Sequence, residues 1–257
     1  MSEKDSKLPL TVHLSELRKR ILIAAAVLFA AFLVVFNYSA ELFDILTFPL
    51  KSEMKLDFTN PYMHIKEKTP VSLVFLAPAE AFWMHMKVSF FASLIFTLPF
   101  IFYQIWKFIS PGLKSNEKKY VIPFLFISTA LFLAGSLFCF VIILPFAMTF
   151  LLGYKTGSLT PMISVGSYID FCLKFILAFG AVFELPLVII FLSKFGIVSP
   201  HSFAKNRKYA ILAAFIAAAV LTPTPDAFNQ CLMALPIIIL YEVGILLARI
   251  IYRKKKI

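Results

Sequence analysis

Apolar residues come along this chain in long blocks, separated by short polar segments that are mostly basic. A helix needs about 20 apolar residues to cross the hydrocarbon of a bilayer. Blocks over residues 21–38, 73–104, 121–149, 166–192, 209–221 and 227–248 meet or approach that length, so six spans are expected. The fifth is short, and Thr222-Pro223-Thr224-Pro225-Asp226 ties it to the sixth. Two prolines in that link forbid a continuous helix. Residues 209–248 therefore read as a tight hairpin of two short helices, which local thinning of the bilayer would accommodate. Ahead of the first span, Leu10, Leu14, Leu17 and Ile21 recur at helical spacing. That pattern predicts an amphipathic arm over 1–20, lying at the membrane interface. No convincing small-residue cleavage site follows the first apolar block, so it is expected to stay as a helix rather than be removed as a signal.

Composition agrees with this pattern. Sixty per cent of the 257 residues are apolar and 15% are charged, against about a quarter charged in a soluble domain. Mean hydropathy is +0.87. The expected fold class is all-α: one polytopic inner-membrane domain over 1–257 with six transmembrane helices, the last two of them short. The net charge of +11 does not point to nucleic acid, because no basic-aromatic binding module is present. Its placement decides topology instead. Eighteen Lys and Arg lie in 1–20, 105–120, 193–208 and the basic tail 249–257, and only five lie in the alternate segments. Positive charge marks the cytoplasmic side, so both termini and the two basic loops are placed there. The loop 39–72, where five acids offset four lysines, faces outward.

Polar residues inside or beside the spans need a reason. Glu16 and Arg20 are spaced i,i+4 in the arm, as either a solvated ion pair or an acidic contact for a basic ligand. Glu80 and Lys87 share a face of the second span about 10 Å apart, and Lys87 must pair, snorkel or face water. Glu117 is the one acid among four lysines in 105–120; it is either neutralised by Lys118 and Lys119 or exposed and suited to bidentate pairing with arginine. Asp170 and Lys174 form an expected i,i+4 pair. Glu184 has no ion-pairing residue three or four positions away, and Pro186 beside it predicts a kink near Val182. Intramembrane acids usually face a protein interior or a wet cavity. Asp226 is placed to cap the last helix, with Gln230 four residues on.

No enzyme constellation is visible. His13, His64, His85 and His201 are scattered, and the sequence holds no HExxH, GxSxG or phosphate-binding loop. Cys139, Cys172 and Cys231 lie singly in apolar segments and read as packing residues. No metal site or cofactor is expected. The rival classes are an ion-coupled small-molecule secondary transporter, with Glu80, Lys87 and Glu184 as coupling groups, and a structural membrane scaffold. No internal repeat supports the transporter.

Several blocks together resemble the TatC family, the multispanning subunit of the twin-arginine protein translocase. They are HLSELRKR at 13–20, Phe48-Pro49-Leu50, APAEAF followed by Lys87, LPFIFYQIWKFISPGLKSNEKKY at 98–120, FGAVFELP, and TPTPDAFNQ before CLMALPIIILYE. They run in order over nearly the whole chain. The last hairpin departs from the commoner T-P-P-D form. The resemblance implies a receptor for folded export proteins whose signal peptides carry paired arginines, driven by the protonmotive force. It places Glu16, Arg18, Phe108 and Glu117 at the signal-recognition surface. Glu184, Glu80 and Lys87 fall in the membrane-embedded, partner-contacting part, and Pro49, Asp226 and Gln230 in structural roles at the outer side. It also implies the single-span partners TatA and TatB, contacts between copies of the chain, and surrounding lipid.

Overall fold

The computed structural model describes residues 10–56, 63–67, 73–112, 118–153, 162–222 and 226–254. Helix α1 (Leu10–Val35) contains neither Gly nor Pro and runs unbroken for 26 residues, about 39 Å. Within the described residues, the expected surface arm is therefore not a separate element. Its described part is the first turns of the first span, because nothing between Leu10 and Ile21 stops the helix. Outside the membrane follow α2 (Ser39–Leu46) and α3 (Phe48–Lys51). Next come β1 (Ser52–Leu56) and β2 (Met63–Glu67), paired antiparallel with Ser52 opposite Glu67. This hairpin, like β3 (Leu73–Val74), was not expected from the sequence. β3 pairs in parallel with β4 (Ile163–Ser164) and so joins the two outer loops.

The second span starts later and ends later than its hydropathy suggests, as α4 (Glu80–Ile109) with Pro99 inside it. The third is α5 (Val121–Phe138), a π-helical turn over Cys139–Ile143, and α6 (Leu144–Gly153). Pro145 explains the turn: it has no N–H and its ring crowds the preceding carbonyls, and a widened turn relieves both. The fourth breaks as expected, into α7 (Val165–Phe183) and α8 (Leu185–Lys194) with Glu184 between them and Pro186 in the first turn of α8. Then come α9 (Pro200–Lys205), capped by the Ser199 side chain, α10 (Arg207–Leu221) and α11 (Ala227–Lys254). The 15 residues of α10 reach about 22 Å, short of a 30 Å hydrocarbon layer. α11, expected to be short as well, is not: its 28 residues carry on through the basic sequence to Lys254. Among the described residues, five helical stretches are long and apolar enough to cross a membrane, and α10 makes the short sixth.

The core is built around α7. Tyr168, Ile169, Cys172, Phe175 and Phe179 are all at most 2% exposed. The Tyr168 hydroxyl donates to the Leu46 carbonyl at 2.6 Å and fixes α2 over the outer end of α7. α5 approaches α7 closely because each offers a glycine. A Cβ at Gly135 would lie 2.6 Å from the Phe179 carbonyl oxygen, and one at Gly180 would lie 2.6 Å from the Phe132 ring. Small residues at crossings are how membrane helices gain van der Waals contact without a hydrophobic drive. α11 meets α8 in the same way, through Gly244 against Pro186 and Ile189. Outward faces stay apolar, with Phe96 and Val220 more than three-quarters exposed to what is lipid here.

Candidate functional site

At the cytoplasmic end, the start of α1 lies against the end of α4. The His13 and Phe108 rings stack with centroids 4.3 Å apart and planes 19° apart. One helical turn further in, the Arg20 guanidinium donates to Glu16 Oε1 at 2.9 Å and to Gln104 Oε1 at 3.4 Å. Gln104 is 6% exposed. Arg20 thus staples Glu16 to α4, on the side that also carries Phe108. Glu16 is half-buried rather than fully solvated, and among the described residues its Oε2 accepts from no donor. A half-buried carboxylate with one open oxygen has the chemistry to accept N–H bonds from a planar cation. Arg18 is exposed and takes no part in this cluster. Glu117 lies outside the described residues. Sequence spacing paired Glu16 with Arg20 but gave no sign of Gln104 or His13 as parts of the site. A glutamine in an otherwise apolar stretch (YQIW) was the available signal for the first of these.

Glu80 and Lys87 do not pair with each other. The Glu80 carboxylate accepts from the backbone N–H of Leu76 at 2.6 Å, of Ala77 at 3.4 Å and of Gly166 at 2.7 Å, and from the Ser164 hydroxyl. It therefore closes the β3–β4 junction and sits at the N-terminus of α7, where a negative charge is favoured. Lys87 instead bonds Asp170 at 2.6 Å, from α4 to α7. This corrects the expected Asp170–Lys174 pair. The interhelical partner brings Lys87 an acid at bilayer depth, where an unpaired cation is costly.

Glu184, at the α7–α8 break, is bonded by the Ser128 hydroxyl of α5. Its partner comes from another helix, which local spacing could not reveal. Its Oε1 is buried without a partner among the described residues. At the outer end, Asp226 caps α11: its Oδ1 accepts from the Asn229 N–H at 2.7 Å and its Oδ2 from the Asn229 side-chain amide at 2.9 Å. Gln230 crosses to α10 and donates to the Phe215 carbonyl at 3.2 Å. Pro49 is fully buried. The cytoplasmic end of the hairpin is held by contacts the sequence did not announce. Arg207 forms a two-pronged bond to Glu242, both prongs at 2.7 Å, and the Tyr241 hydroxyl donates to the Phe203 carbonyl at 2.8 Å.

Residues 12–236 match the family described as "Sec-independent protein translocase protein (TatC)". The Sec-independent protein translocase protein TatC of Desulforapulum autotrophicum is 39% identical over 255 residues, covering 99% of this chain and 89% of that protein. That of Aquifex aeolicus is 39% identical over 251 residues, covering 97% and 98%. A crystal structure of a twin-arginine translocase receptor TatC superposes with a TM-score of 0.77 at 36% identity, covering 93% of this chain and 99% of that one. A second, in the detergent DDM, gives 0.78 at 38% identity, covering 92% and 99%. The order of blocks along the sequence, the helical membrane fold and these likenesses agree: the chain belongs to the TatC family of Sec-independent protein translocases.

Proposed function

We propose that the chain performs the receptor step of twin-arginine export through the cytoplasmic patch where α1 meets α4. As a TatC-family subunit it is a multi-pass protein of the bacterial inner membrane and a translocase component rather than an enzyme. Our reading of the site assigns Glu16 and Glu117 as carboxylate acceptors for the two guanidinium groups of a signal peptide, with Phe108 as an aromatic wall and Arg18 at the rim. The observation that carries it is Glu16 held against Gln104 by Arg20 with one oxygen open. Two arginines need more than one acceptor, and a carboxylate takes two N–H bonds from each planar guanidinium. After this contact, the apolar part of the signal would enter the membrane beside Glu184, a polar anchor whose buried Oε1 has no donor among the described residues. TatA and TatB, as single-span partners, would dock on the same membrane-embedded helices, further copies of the chain would join them, and the protonmotive force would drive transport.

Binding of a labelled twin-arginine signal peptide to the purified chain tests this reading. Glu16→Ala and Glu117→Ala should each weaken crosslinking, and a twin-lysine signal should bind poorly to all forms. Equal crosslinking of both variants and the parent would overturn the assignment. The secondary-transporter alternative is less favoured, because Glu80 and Lys87 are engaged in fixed links to the α7 region. It predicts substrate-dependent proton uptake by liposomes holding this chain alone, and the receptor reading predicts none.

A further inference from the structure

On one membrane face, two cavities adjoin and share Ile45 and Phe140 in their walls. The inner, about 270 Å³, lies among Leu42, Phe91, Ile95, Leu133 and Ile176. The outer, about 570 Å³, is bounded by Asp44, Phe48 and Val141. Together they form a trough that starts at the outer end of α2 and runs inward along α5. From Phe140 to Leu133 it covers about 10 Å of helix. Its flank faces the bilayer, since Ile45 is 57% exposed and Leu137 62%.

The inner part is hydrocarbon-like. Its one polar side chain, Ser136, is turned to the Ile176 carbonyl. Among the side chains of the outer part, Asp44 is an acceptor and none is a donor. Asp44 is exposed, and among the described residues nothing donates to its carboxylate. The π-helical turn supplies the second acceptor. The Leu144 N–H donates to the Cys139 carbonyl, and the next residue is Pro145, which has no N–H. The Phe140 carbonyl is thereby left without a helical donor. Within a bilayer an unmet backbone acceptor costs several kcal/mol, so this spot calls for a donor from outside the chain.

We propose that the trough binds a phospholipid with a primary-ammonium headgroup, of the phosphatidylethanolamine type, from the outer leaflet. Its ammonium sits between the Asp44 carboxylate and the Phe140 carbonyl, and one acyl chain fills the inner cavity. Layout argues for a lipid, because an apolar wall at chain depth lies beneath acceptors at headgroup depth, the order in which a lipid carries its own parts. Chemistry argues for the headgroup, because a quaternary choline carries the charge but cannot donate, and a glycerol headgroup leaves the lipid's phosphate uncompensated beside Asp44.

The experiment is native mass spectrometry of the purified full chain equilibrated with equal amounts of phosphatidylethanolamine, phosphatidylcholine and phosphatidylglycerol of identical chains. The ethanolamine lipid should be retained about threefold or more over the others, the scale of one partly exposed charge contact. Asp44→Asn should reduce it to the level of the choline lipid. Pro145→Ala returns an N–H near the Phe140 carbonyl, and should lessen the headgroup preference while total bound lipid stays constant. Equal retention of the three lipids by the parent, or an unchanged preference in Asp44→Asn, would refute the site. A cysteine at Leu137 gives an independent reading of occupancy. Ethanolamine lipid should slow its labelling, whereas protection by an added signal or partner-helix peptide with no effect of lipid would assign the trough to a helix and overturn the proposal.

Discussion

Glu184 and Glu16 show how one carboxylate takes its meaning from a neighbour far away in sequence. The proline two residues after Glu184 marked a break, and α7 and α8 do part there. The sequence could not show that Ser128 of another helix would hold the carboxylate, because a hydroxyl in an apolar helix has many possible partners until the helices are packed. Replacing Glu184 by Leu removes the polar anchor while keeping bulk. We expect export of a folded reporter to fall while the protein stays at parental level in the membrane, and full export would refute the anchor role. At Glu16, the pair with Arg20 was legible from spacing and the bond to Gln104 was not, since it joins the first helix to the second. Glu16→Gln keeps the shape and removes the charge. A hydrogen bond to a charged group is worth about 1.5–3 kcal/mol, so signal-peptide affinity should drop at least about tenfold by fluorescence titration.

At the scale of elements, the decisive contacts are crossings. The α5–α7 crossing rests on Gly135 facing the Phe179 carbonyl, an atom that cannot move aside as a side-chain tip would. Gly135→Leu should cost about 1–3 kcal/mol or more through overpacking, seen as a lower midpoint of thermal unfolding in detergent. An unchanged midpoint would mean the crossing is looser than the geometry implies. The α4–α7 crossing is tied by Lys87 and Asp170. Asp170→Asn strands a lysine in the membrane, so it should destabilise more than the Lys87→Met, Asp170→Asn double variant, in which no charge is left unpaired. Equal effects of the single and double variants would show the pair to be independent. Hydropathy located the spans to within a few residues at most ends. It missed that 73–79 is strand and turn, because an apolar run has no period that separates a buried strand from a helix end. It missed the β1–β2 hairpin because the alternation in Glu53-Met54-Lys55-Leu56 and Met63-His64-Ile65-Lys66 is too brief to stand out in a loop of mixed charge.

For the whole molecule, the charge bias predicts a topology that can be read directly. A cysteine placed at Lys255 or Ser115 should react with an impermeant reagent only when the cytoplasmic face is open, and one at Thr59 only from outside. The reverse pattern would overturn the orientation and, with it, the cytoplasmic placement of the Glu16 patch. The sequence by itself determined the membrane as solvent, the six helical segments, their direction, the short α10 and the break at Glu184. Those features depend on local chemistry: apolar length, proline, and the cost of moving lysine and arginine across a bilayer. The tertiary structure alone decided that residues 10–20 run on into the first span as α1, that Asp170 pairs with Lys87 rather than Lys174, that Glu80 closes the outer loops, and that Arg207 and Glu242 lock the last hairpin. In each pairing the partners come from different helices, and where two helices meet is set by which faces fit closely, by glycine at Gly135, Gly180 and Gly244, and not by any signal within one segment.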